Sequence, residues 1–224
     1  MGNRKIKMKK ILFLLFIFNQ INAQKVRPFF ETTYNIHSEF KNSSYYNIGI
    51  GSEVKLNKYI RPELEISYTI GAFGDFVDYD NQGNPLTIFN KKVTSINYSL
   101  SPKIIINVDE DANYYLQLLP KYSISRIQAI GDYLEINQSD YSKSISKKET
   151  ITETKNSFGI GFGIGFNLAG KQTDSIIINI YYQNIDFASV LNKLANNNNS
   201  KLNTKNVLSF GLVYYFNFGI EKSN

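Results

Sequence analysis

Residues 207–218 read V-L-S-F-G-L-V-Y-Y-F-N-F, and their alternation limits the folds open to the chain more than any other feature. In an extended strand successive side chains point to opposite faces, so Leu208, Phe210, Leu212, Tyr214, Phe216 and Phe218 share one side. Ser209, Gly211, Tyr215 and Asn217 share the other, which is mostly small or polar. Such a strand either buries its oily face in a soluble sandwich or turns it outward to lipid. Seven more segments carry the same alternation, at about 26–36, 45–56, 59–73, 91–107, 113–127, 150–168 and 175–187, and the last extends over 205–218. The oily parity is constant: Pro28, Phe30, Tyr34; Tyr46, Ile48, Ile50, Val54; Leu64, Ile66, Tyr68, Ile70; and onward through Ile96, Leu116, Phe162 and Ile178. The other face holds Arg27, Glu31, Glu53, Lys55, Arg61, Glu63, Glu65, Lys103 and Lys121.

The connections between segments alternate in length. Those at 57–58, 108–112 and 169–174 are short, whereas those at 37–44, 74–90, 128–149 and 188–204 are long and rich in Asn, Asp, Ser, Gly and Lys. Short turns at one end and long polar loops at the other, with an even number of strands, predict an all-β, eight-stranded antiparallel up-and-down transmembrane β-barrel of an outer membrane. A soluble sandwich or lipocalin-like barrel is the alternative, and it has no reason to segregate its loops. A strand of about 11 residues at roughly 3.3 Å each, tilted by about 45°, covers near 25 Å of membrane normal, the height of the lipid-facing band. Tyr34, Tyr46, Tyr68, Tyr122 and Tyr182 lie on the oily face toward the loop end, where an amphipathic ring suits the headgroup layer. They are the expected aromatic girdle. The nine charged residues of the opposite face are expected to pair across the lumen, since eight strands leave room for side chains and not for a water column.

Ahead of the first strand, Arg4, Lys5, Lys7, Lys9 and Lys10 precede an apolar run at 11–18, and the stretch after it ends in Ile21-Asn22-Ala23. This is the pattern of a secretory signal peptide over 1–23, leaving a single domain at 24–224. The run is too short to span a bilayer, which takes about 20 residues. Removing those basic residues brings the formal charge of +6 down to about +1, so the basic pI does not point to nucleic acid. The chain has no cysteine, which excludes disulfides and cysteine acylation. No cofactor and no metal are expected, because no His/Cys cluster exists.

Ser209, Gly211, Tyr214 and Phe216 have the spacing of the terminal assembly signal of outer-membrane barrels, although the chain continues to Asn224. With Ser101-Pro102-Lys103 and Leu119-Pro120-Lys121-Tyr122, the mature chain resembles the PorT-like or OmpX-type eight-stranded outer-membrane family of Gram-negative envelopes. The resemblance implies recognition by the barrel-assembly machinery, contact with outer-membrane lipid, and a location, but no substrate.

Function is then expected in the outer loops: a non-enzymatic, monomeric protein binding an extracellular ligand or a component of the envelope or a secretion complex. The alternative is an outer-membrane lipid A acyl-modifying enzyme. Only His37, beside Ser38, speaks for it, and adjacent strand residues face opposite ways. Gly159, Gly161, Gly163 and Gly165 do not form a phosphate loop. They alternate with Phe and Ile at strand period, and their expected role is to leave lumen space for Arg61, Lys121, Tyr115 and Tyr181.

Overall fold

A computed structural model describes residues 26–37, 40, 44–106, 113–168, 174–194 and 205–216. The leader at 1–23, Ser38 and residues 217–218 lie outside them. The elements in chain order are β1 (Val26–Ile36), β2 (Ser44–Val54), β3 (Ile60–Ala72), β4 (Phe76–Tyr79), β5 (Pro85–Ile105) and β6 (Tyr114–Ile136). They continue with β7 (Lys143–Asn167), β8 (Ser175–Asn184), a short helix α1 (Phe187–Leu191) and β9 (Asn206–Tyr215).

Pairing is antiparallel throughout, and β3 pairs directly with β5, while β9 returns to pair with β1 from Phe29↔Tyr215 to Ile36↔Leu208. The ring therefore closes through β1, β2, β3, β5, β6, β7, β8 and β9: an eight-stranded up-and-down barrel. β4 is a side strand that adds only to the upper part of β5. Around the wall, odd-numbered residues point inward and are mostly buried, while Phe30, Ile48, Ile66, Tyr98, Phe162, Ile178 and Leu212 are exposed on the outside. An oily outer surface of this extent has no place in water; lipid is the solvent in which it is stable, and closure leaves no strand edge unpaired there. The barrel is a transmembrane one.

Two stretches expected as loops, 74–90 and 128–149, are largely strand. β5, β6 and β7 have 21, 23 and 25 residues against 10 to 13 for the other strands of the wall, and their extra length rises beyond the oily band. The physical reason is that a strand outside the membrane has water on its outer side and drops the oily parity that marks the wall. β4 through β7 thus form a four-stranded sheet standing above the membrane. Its register slips twice: Asp78 pairs with Thr87 and Tyr79 with Pro85, leaving Leu86 as an extra residue in β5, and Tyr133 pairs with Lys147 and Leu134 with Ile145, leaving Ser146 as an extra residue in β7. At the sheet's tips the turns are held by carboxylates. Asp80 accepts from the backbone amides of Gln82 and Asn84 and from the Asn84 side chain, which holds its carboxyl below the usual carboxylate range. Gly83 in that turn has a φ of 85°, which favours glycine.

Candidate functional site

The inside of the barrel is stacked in layers. Nearest the turn end is a charge network joined to aromatic rings. Lys103, fully buried, sits 2.5 Å from Glu63 and also pairs with Glu53, and it donates to the Tyr215 hydroxyl at 3.1 Å. Arg27 reaches Glu53 at 2.8 Å and lies over the Tyr215 ring, 4.7 Å from its centre. The Tyr215 hydroxyl donates to Glu63. Phe29, Ile105, Tyr115, Ile177 and Val213 pack around this group. One step up, Lys121 is 2.5 Å from Glu65 and 3.8 Å from Glu31. Each charge is thus taken out of water opposite a partner, which is the condition for burying it at all.

Sequence reasoning placed nine residues in the lumen network, and the structure gathers most of them. Arg27, Glu31, Glu53, Glu63, Glu65, Lys103 and Lys121 occupy the two levels just described. Arg61 is half-buried beside Lys103 in register, with its guanidinium 5.8 Å from the centre of the Tyr115 ring. Lys55 does not belong to the lumen. β2 ends at Val54, one residue before it, and Lys55 is exposed in the turn-end link. Parity alone could not show that, because parity continues past the point where pairing stops.

The glycine stripe of β7 faces the lumen as expected, but not all of its expected occupants are there. A Cβ on Gly165 would lie 2.3 Å from the Tyr115 ring, and one on Gly161 would lie 2.4 Å from Tyr181. On Gly163 it would meet Asn179, and on Gly159 Gln183. The nearest side chains to the stripe are thus two tyrosines and two amides; Lys121 stands opposite Gly159 in the β6–β7 pairing, while Arg61 lies on β3.

Above the charges lies a chamber of neutral polar groups that sequence reasoning did not single out. Thr33, Asn47, Ser67, Thr69, Asn97, Ser99 and Ser125 line a cavity of about 20 Å³, with Lys121 below and Ile185 above. That is space for a water or two. The Tyr45 hydroxyl and the Ser125 Oγ are buried here without a protein partner, so they are the groups such waters satisfy. The residues were legible as small inward positions, yet nothing in a Ser or Thr at odd parity distinguishes a filled lumen from a hollow one.

An apolar cap then closes the loop end. Phe40, Tyr45, Phe73, Phe89, Ile127, Phe187, Leu191, Leu194 and Val207 are all buried in one cluster, with Phe76, Tyr133 and Ile151 against its rim. The Phe40 and Phe73 rings are 3.9 Å apart. α1 supplies the lid, and Asp186 caps its start by accepting from the Ser189 amide at 3.0 Å. Residues 188–194, read from sequence as polar loop, are thus partly a plug over the mouth. His37, expected at the head of a solvated loop, is buried beneath this cap, with its ring 4.9 Å from that of Phe40.

On the outer wall Tyr34, Tyr46, Tyr68 and Tyr182 are exposed, while Tyr122 is half-buried against Phe158, 5.0 Å between ring centres. In β9, Ser209 is fully buried and donates to Asn35 at 2.6 Å, and Gly211 backs onto Tyr181 and Glu31. Tyr214 and Phe216 stand on the outer side with ring centres 4.8 Å apart, and Tyr214 donates to Asp174.

Among the described residues the lumen is filled at two levels, by the charge network and by the apolar cap. Planar-bilayer recording of the reconstituted protein is expected to show no steady conductance steps, because the cap and the charge network close the lumen independently. Steps persisting in the wild-type protein would mean that the cap opens and that the network below it carries ions.

No known protein-family model matches the chain, nor does any curated protein sequence. Among solved structures it is similar to Neisserial surface protein A, at 16% identity and a TM-score of 0.44, with 87% of this chain and 97% of that one covered. It is similar to Ail, the attachment invasion locus protein of Yersinia pestis, at 14% identity and a TM-score of 0.40, covering 86% and 96%. A major outer membrane protein from Thermus thermophilus aligns at 13% identity and a TM-score of 0.47, covering 85% and 99%. These are likenesses of outline, and the closed eight-stranded ring rests on the strand register itself.

Proposed function

We propose that this protein is an outer-membrane barrel without enzymatic activity, which acts through the sheet and loops it holds above the membrane. Its task on this proposal is to bind an extracellular ligand or a component of the envelope or a secretion complex. The observation that carries the proposal is the combination of a closed lumen with a stiff extramembrane sheet. With the lumen of the described residues filled by the charge network and the cap, what the fold presents to its surroundings is the surface beyond the wall. Burial of His37 beneath the cap speaks against the lipid-modifying alternative, since a histidine base must reach a lipid substrate at the outer wall.

The outer-membrane location brings its own proposals. Residues 1–23 act as the signal peptide; Ser209, Gly211, Tyr214 and Phe216 serve as the assembly signal; and Tyr34, Tyr46, Tyr68, Tyr122 and Tyr182 form the headgroup girdle. Kinship to OmpX-type barrels is proposed with them, and kinship to PorT-like barrels as its finer form.

Trimming the sheet tests the proposal. Tyr133 and Lys147 pair in register, so replacing residues 134–146 with a two-residue Asn-Gly turn keeps the cap and shortens only the hairpin. The trimmed protein is expected to reach the membrane at normal levels and to lose the partners that wild type retains after crosslinking on intact cells. Capture of the same partners by both proteins would remove the sheet from the function. A change in the acyl chains of lipopolysaccharide incubated with purified protein would favour the enzyme.

A further inference from the structure

The two charged levels of the lumen do not balance alike. At the turn end Arg27 and Lys103 face Glu53 and Glu63, two against two, with Arg61 half-buried at their rim against the Tyr115 ring. One step up, Lys121 alone serves both Glu31 and Glu65, at 3.8 and 2.5 Å. Each of these carboxylates is more than nine-tenths buried, so one negative charge is held there in surplus and away from water. The two oxygens of Glu65 also differ. Oε2 takes Lys121, while Oε1 is buried with no hydrogen-bond partner among the described residues.

The register shows where that oxygen lies. Gly49, Ser67, Asn97 and Ser125 pair in one rung across β2, β3, β5 and β6, one step above Glu65. Glu65 Oε1 rises toward this rung in the space that Gly49 leaves, since a Cβ on Gly49 would stand 2.6 Å from it and 3.0 Å from the Cβ of Ser67. In the same rung the Ser125 Oγ is buried without a partner, and Ser67, Asn97 and Ser125 all line the polar chamber. The amide nitrogen of Asn97 is committed to Ser67 and Thr69, at 3.3 and 2.9 Å. What the rung leaves for a ligand is therefore oxygen, with the hydroxyls of Ser99 and Ser123 below it, 2.8 Å apart.

We propose that this rung binds one monovalent alkali cation, held between Glu65 Oε1 and the hydroxyl oxygens of the chamber floor, while Lys121 occupies the other carboxylate oxygen. Hard cations take oxygen ligands. One positive charge offsets the surplus of the Glu31, Glu65 and Lys121 level. A divalent ion would overshoot it, and no group of three or more His, Cys, Asp or Glu side chains able to hold one occurs among the described residues. The cavity of about 20 Å³ has room for such an ion in the place of one water. A water there would satisfy the same hydroxyls but would leave the charge uncompensated. No His or Cys takes part, so the ligand spacings of a metal motif give no sign of the site in the sequence. It lies in the lumen and is independent of what the sheet and loops bind.

Urea titration of the barrel refolded into phosphatidylcholine vesicles reads the site, at fixed pH and ionic strength, with sodium or potassium replaced stepwise by the bulky cation choline. A single site formed only by the folded barrel should lower the unfolding equilibrium constant by up to about ten-fold for each ten-fold rise in the cation. The sodium and potassium arms show which ion fits better. Glu65→Gln is expected to abolish the dependence, because it removes the surplus charge. Ser125→Ala keeps the charge and takes away one oxygen, so it should move the dependence to several-fold higher cation concentration. Glu153→Gln, which breaks a pair with Lys155 outside the chamber, should behave as wild type. Equal midpoints in sodium, potassium and choline overturn the proposal. So does a stability that ignores the cation and rises as the pH falls, which assigns the surplus to a proton. A cation dependence unchanged in both Glu65→Gln and Ser125→Ala puts the ion elsewhere and overturns it too.

Discussion

Lys103→Met is expected to cost the barrel about 3–5 kcal/mol, because it removes one partner of a buried ion group and leaves the other in place. Lys103 has no solvent exposure and holds Glu53 and Glu63 together, so the substitution strands two carboxylates against the Tyr215 ring. Methionine fills nearly the same volume, so the loss reports charge and not a cavity. Urea titration of the barrel refolded into lipid vesicles measures it. The double variant Lys103→Met with Glu63→Gln should recover part of the loss, since one stranded charge has been neutralised. A cost no greater than that of breaking the surface pair of Lys205 and Asp186, 3.6 Å apart, would mean that water reaches the network.

Arginine on the outer wall gives the second large effect. Leu212 and Ile178 are cross-strand neighbours, both about half exposed to the outside midway along β9 and β8. Each single substitution, Leu212→Arg or Ile178→Arg, should cost about 2–4 kcal/mol if these positions meet the middle of the bilayer. Thr152→Arg, on the same outer side but among the polar residues of upper β7, should stay within about 0.5 kcal/mol. The same vesicle titration compares all three. Equal costs would place upper β7 in lipid, or Leu212 in water.

What could be read from the sequence follows from where lipid lies. Within the wall, lipid on one side and a crowded lumen on the other enforce opposite chemistry on alternate residues, so Phe158 to Phe166 and Ile176 to Tyr182 announce their strands and their faces. The charged lumen residues were legible for the same reason: a Lys or Glu at odd parity between oily neighbours has nowhere else to go. The signal ends where the membrane does. Residues 143–149 read K-S-I-S-K-K-E: with water outside, the alternation no longer separates oily from polar, and the parts of β5 to β7 at 85–90, 128–136 and 143–149 passed for loop. The cap was hidden differently. Phe40, Phe73 and the pair Phe187 and Leu194 come from three separate connections and meet only in three dimensions, so no local pattern links them. Lys55 shows the converse limit, since a periodic pattern does not say where pairing stops.

The seam between the first and last strands has a kinetic consequence. Glu31 and Glu53 are made early in the chain, their lysine partners Lys121 and Lys103 come from its middle, and Tyr215, which bonds both Lys103 and Glu63, comes from the final strand. Ser209 closes on Asn35 across 174 positions of sequence. No contiguous half of the chain holds a complete set of these contacts: the first half can join Lys103 to Glu53 and Glu63, but it leaves Glu31 and Glu65 without Lys121 and the whole group without Tyr215. Contacts of such long sequence separation make folding slow and its last step concerted. The buried charges therefore act as a latch on ring closure: an open sheet keeps them hydrated, and only the arrival of β9 in the one register that seats Tyr215 allows the water to leave.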